Sequence, residues 1–120
     1  MKRIIAILVL TLGIAFQANA QKVKTVALEQ TKGEFTQKAL TLKEGTYVFE
    51  ISNKAVGHDI GFVLAPKGKV EAENHIKEAY VTSLVKNNGK STSKKVTLKK
   101  GEYVYFCPLN PTPQYALTVE

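Results

Sequence analysis

Residues 40–52 read LTLKEGTYVFEIS, and residues 96–106 repeat the design as VTLKKGEYVYF. In the first copy Tyr47, Phe49 and Ile51 fall on one side of an alternating run, and Val48 and Glu50 fall on the other. That two-residue period predicts a half-buried strand. Lys43-Glu44-Gly45 breaks the run as a turn, and Lys99-Lys100-Gly101 does the same in the second copy. Gly45 and Gly101 are expected to supply a positive φ angle. Two copies are too few for a repeat array. They suit two related strand–turn–strand corners of one sandwich.

Further strands follow from the same pattern. DIGFVLAP (59–66) is a β-rich run stopped by Pro66, and QYALTVE (114–120) closes the chain. Between the two copies, Ala72, Ile76, Tyr80 and Leu84 recur four apart in VEAENHIKEAYVTSLV (70–85), which predicts a short helix of two or three turns. KNNGKSTSKK (86–95) is a polar loop. The expected fold is an all-β Greek-key sandwich of seven or eight strands with one short helical insertion.

The N-terminus has a separate purpose. Lys2 and Arg3 precede an apolar run from Ile4 to Phe16, and Ala18-Asn19-Ala20 has the small-x-small form of a cleavage site. Residues 1–20 are therefore expected to be a cleaved signal peptide, with residues 21–120 forming a single domain. The run falls short of the about 20 apolar residues that span a bilayer, and no membrane anchor is expected in the mature form. The expected location is periplasmic or secreted.

The full chain carries 17 Lys and Arg against 10 Asp and Glu, a formal charge of +7. Removing Lys2 and Arg3 leaves no arginine. Arginine is the usual reader of phosphates and base edges, so nucleic acid is not an expected partner. Scattered lysines suit a solvated surface, or steering toward an acidic redox partner protein. A monomer is expected.

Two residues carry candidate chemistry. Cys107, the only cysteine, ends a strand and precedes Pro108. It has no partner for an internal disulfide. His58 stands just before a strand in VGHDIGF. Imidazole and thiolate together are a soft, copper-preferring pair. The alternative is a buried core thiol and a loop histidine. There is no CxxC, phosphate-cradling glycine loop or nucleophile–base spacing that points to an enzyme.

The stretches 40–69 and 96–120 resemble the two halves of a cupredoxin of the plastocyanin and azurin type. The first has a strand, a glycine turn, a strand ending in Asn53 and a loop with His58. The second has the strand end YFCP and a loop leading to the last strand. The resemblance implies copper held by two histidines, a cysteine and a weak axial ligand, and single-electron transfer or copper handling. By position it implies His58 and Cys107 as ligands. It puts Asp59 where the family has an asparagine that ties the ligand loops, and Gly57 where a backbone carbonyl faces the metal weakly.

The chain departs from that pattern. No histidine follows Cys107, and Gln114 stands where the second is expected, as a weak ligand. The only methionine is Met1. His75 could supply a nitrogen, but its charged neighbours predict a solvated surface role. The alternative function is a copper-free sandwich that serves as a binding or structural module.

Overall fold

The computed structural model describes residues 22–120; the expected signal peptide, 1–20, lies outside them. Among the described residues nine strands form two sheets. In chain order they are β1 (Val23–Thr31), β2 (Glu34–Phe35), β3 (Ala39–Leu42), β4 (Gly45–Asn53), β5 (Val63–Pro66), β6 (Lys90–Thr92), β7 (Val96–Leu98), β8 (Gly101–Phe106) and β9 (Tyr115–Val119). One sheet has the order β2-β1-β4-β6, with β7 also pairing β4; the other has the order β3-β9-β8-β5. β1 runs parallel to β4 and β3 parallel to β9, while the remaining pairs are antiparallel. Among the described residues no helix is long and apolar enough to cross a membrane.

The core lies between the sheets and follows the alternation. Tyr47, Phe49 and Ile51 of β4 are buried, as are Val26 and Leu28 of β1, Val96 and Leu98 of β7, Tyr105 of β8, and Leu117 and Val119 of β9. Phe35, Phe62, Tyr105 and Tyr115 add an aromatic cluster, with Phe35 edge-on to the other three. Such edge-to-face pairs add to the gain from burial.

The sequence repeat has a physical meaning beyond turn geometry. The Tyr47 hydroxyl donates to the Lys43 carbonyl at 2.6 Å, and the Tyr103 hydroxyl donates to the Lys99 carbonyl at 2.7 Å. Each ring lies over the glycine two residues before it, where an added Cβ would sit 3.7 Å from the ring. These are paired tyrosine corners at the starts of β4 and β8. The expected positive φ is not found at Gly45, and at 157° Gly101 lies at the margin of extended backbone. The tyrosine ring uses the flat glycine surface.

The insertion also differs from the expected helix. It holds two single 3₁₀ turns, Ala72–Asn74 and Lys77–Ala79, joined by extended residues. Isolated bridges pair Ile60 with Val85 and Val81 with Ser93, and the Ile76 N–H donates to the Leu64 carbonyl. A helix this short is marginal by itself, and pairing with the sandwich edge supplies its backbone partners instead. Of the four-residue stripe, Leu84 is exposed, while Ala79 outside the stripe is fully buried.

Candidate metal centre

β4 and β8 run from their tyrosine corners toward the same pole. β4 ends at Asn53 and leads into the loop that holds His58, and β8 leads directly into Cys107. The buried Asn53 side chain shapes the first loop. Its Nδ2 donates to the carbonyls of His58 (2.8 Å) and Val85 (3.1 Å), and its Oδ1 accepts from the Val56 N–H. Asn87 and Asn88 hold the loop from outside, accepting from the N–H groups of Gly57 and Ala55. Gly57, at φ 105°, takes a conformation that other residues resist.

Cys107 continues the inward side of β8 after Tyr105 and is 1% exposed. Its Sγ accepts two backbone N–H groups, from Gly61 at 3.4 Å and Asn110 at 3.3 Å. Gly61 is three residues beyond His58, so the two loops meet at the sulfur. Thr112 closes the Cys107 loop: its Oγ1 accepts from the Cys107 N–H at 3.1 Å and donates to the Pro113 carbonyl. Pro108, Pro111 and Pro113 fix φ through this segment.

The other candidates are dispersed. His58 is exposed, and its Nδ1–H donates to the Asp59 carbonyl at 2.9 Å, which leaves Nε2 with its lone pair. The Asp59 carboxylate stands 4.0 Å from the exposed Lys86, so its ion-pair partner is on the 86–95 loop and not on the Cys107 loop. Gln114 is exposed and lies just before β9, whose first residue, Tyr115, pairs with Tyr105. Cys107 faces inward.

His75 does not have the solvated role expected of it. Its Nε2–H donates to the Val70 carbonyl (2.9 Å), its Nδ1 accepts from the Tyr80 hydroxyl (2.8 Å), and its ring meets Phe106 edge-on. Both nitrogens are engaged in holding the insertion against the outside of β8.

Sequence reading missed the residues that join the loops. Gln30 and Asn110 are buried polar side chains bonded to one another across 80 positions. One signal was present: Val26, Leu28 and Gln30 share the inward register of β1, so a polar residue stood where a core residue was due. Beside the sulfur an open apolar cleft of about 280 Å³ is lined by Gly61, Tyr80, Leu84, Pro108 and Leu109 among others.

The family described as copper binding proteins, plastocyanin/azurin family, matches residues 21–118. The chain belongs to that family. A search of curated proteins finds no match. Among solved structures, the cupredoxin fold is shared with auracyanin A, a "blue" copper protein of the green thermophilic photosynthetic bacterium Chloroflexus aurantiacus, at TM-score 0.66 and 19% identity over 82% of this chain and 100% of that one. Auracyanin B gives TM-score 0.64 and 20% identity over 81% and 88%. Amicyanin from Paracoccus versutus gives 0.52 and 18% over 80% and 81%.

The donor set is narrower than the family's usual one. A type 1 copper plane takes two imidazoles and a thiolate. Here the pole has one buried sulfur and one exposed imidazole. Among the described residues no three His, Cys, Asp or Glu side chains gather to hold a metal. The residues present do not fit a three-ligand plane.

Proposed function

We propose that this protein is an exported cupredoxin that holds one copper ion, preferentially Cu(I), through Cys107 and His58, for copper handling or single-electron transfer. The observation that carries this reading is the Cys107 sulfur, set at a strand end and bonded by two backbone N–H groups. Metal binding uses the thiolate form of such a sulfur. His58, on the adjoining loop, keeps Nε2 free for a second bond. The Gly57 carbonyl would be a weak further donor from that loop. Gln114, exposed just ahead of β9, is not needed for a two-donor site. Bound copper would supply a one-electron couple or a transferable cuprous ion. The scattered lysines would steer an acidic partner. No catalytic role is proposed. Export is inferred from the signal-peptide pattern of residues 1–20.

A second reading is supported by the depth of the thiol. Cys107 at 1% exposure, with its hydrogen bonds made inside the protein, also suits a copper-free sandwich kept as a binding module. Titration of the processed chain with Cu(I) against a competing chelator separates the two. The copper reading expects one equivalent bound, binding abolished by Cys107→Ser, and binding weakened by His58→Ala. A chain that leaves all Cu(I) with a weak chelator, and takes on no colour with Cu(II), belongs to the second reading.

A further inference from the structure

The two donors on the Cys107 sulfur come from segments far apart in sequence, and one buried pair of carboxamides holds both. Gln30 Nε2 donates to the Gly61 carbonyl at 2.8 Å. Gln30 Oε1 accepts from Asn110 Nδ2 at 3.1 Å. Asn110 Nδ2 also donates to the Thr31 carbonyl at 2.8 Å, and Asn110 Oδ1 accepts from the Gly33 N–H at 2.7 Å. The circuit then closes through sulfur, because the Gly61 and Asn110 N–H groups both end on Sγ. Gln30 is 0% exposed and Asn110 is 2% exposed.

Burying two primary amides is costly unless their hydrogen bonds are made, and an apolar pair would fill the same core with no such requirement. The polar pair contributes direction. It fastens Gly61 from β1 and locks the turn 107–110 against the β1–β2 hairpin. We infer that Gln30 and Asn110 are positioning residues for the Cys107 sulfur, holding its two N–H donors in place before any ligand arrives. This inference does not rest on the copper reading; it holds for a free thiol as well.

The test uses the full chain and two variants. Gln30→Leu removes both bonds of Gln30, and Asn110→Asp keeps the acceptor for Gly33 while losing both Nδ2 donations. Amide hydrogen exchange is followed at Gly61, at Asn110 and at Phe49 in the middle of β4, together with the rate at which an aromatic disulfide reagent modifies Cys107. Loss of a buried hydrogen bond should speed local opening by about tenfold or more. The expected result is that acceleration at Gly61, Asn110 and the thiol, with Phe49 changed much less. Exchange and thiol reactivity at wild-type values overturn the inference. So does an equal acceleration at all three amides, which marks a merely general loss of stability. Should Gln30→Leu not fold, Gln30→Glu keeps size and acceptor while losing the donation to Gly61, and the same criteria apply.

Discussion

The two poles of this sandwich hold their loops by opposite means. At one, β4 and β8 each begin in a tyrosine corner, where a hydroxyl reaches back four residues to a lysine carbonyl. Each corner is local, contained within five consecutive residues, and written twice. At the other pole, β4 and β8 end in loops joined by Asn53, Gln30, Asn110 and the Cys107 sulfur, contributed from three separate segments. Nothing there is repeated. A local device can be duplicated with its strand, whereas a junction of several segments has one geometry and tolerates little change. The lesson is where sensitivity should lie. Single substitutions at the junction should cost more than single substitutions at the corners.

The largest expected effect tests that ordering directly. Asn110→Ala leaves Gln30 Oε1, the Thr31 carbonyl and the Gly33 N–H without their partner. With buried groups orphaned at about 1–3 kcal/mol each and part of the loss relieved by water at the hairpin, about 3 kcal/mol of stability should go. Urea unfolding monitored by tyrosine fluorescence gives the value, and a loss under about 1 kcal/mol would reverse the ranking of the poles.

The corners come next. Tyr47→Phe removes one hydrogen bond from a buried ring and should cost about 1 kcal/mol; Tyr103→Phe, at a more exposed ring, should cost less. The corners belong to different sheets, so the double variant should show close to the sum. A strongly cooperative pair would mean that the two corners act as one unit, and the contrast between duplicated and single devices would fail.

A pH series probes the core that links the poles. Burial, with a smaller contribution from neighbouring Tyr115, pushes the Tyr105 phenol up to about 12. Its hydroxyl donates to the Gln37 carbonyl at 2.5 Å. The unfolded phenol ionises near its usual value of about 10. Stability from this group is therefore complete below about pH 10 and is lost as pH rises through about 12. Tyr105→Phe should fall less steeply than wild type between pH 9.5 and about 11.5 in urea unfolding. Parallel slopes would remove Tyr105 from the alkaline loss.

Much of this could be read from the chain. The alternation of Tyr47, Phe49 and Ile51 gave the inward face of β4, the repeat gave two equivalent strands, and the position of Cys107 gave a strand end. Each is a short-range pattern. The stripe of Ala72, Ile76, Tyr80 and Leu84 misled because helical spacing says nothing about the strand edges that compete for the same backbone. Gln114 was placed by counting along a loop, and a count fixes neither the start of β9 at Tyr115 nor the direction of the side chain before it. The Gln30–Asn110 contact had no local signature beyond a polar residue in an apolar register, since its partner lies 80 positions away.

The smallest expected effect is also informative, because it separates the junction's side chains from its backbone. Gly61 contributes only its N–H, to sulfur, and its carbonyl, to Gln30. It is not among the residues with positive φ, so alanine can adopt its backbone. A Cβ there would face the apolar cleft and lie 3.9 Å from Leu109 and Leu84, an ordinary contact. Gly61→Ala should therefore leave both hydrogen bonds intact and change stability by no more than about 0.5 kcal/mol, since the small gain from a stiffer unfolded chain is all that remains. Cys107 modification should keep its wild-type rate. A large loss would mean that the glycine itself, through a close approach in solution, shapes the sulfur's surroundings. A null result leaves that role with the carboxamides, where the difference between the poles requires it to be.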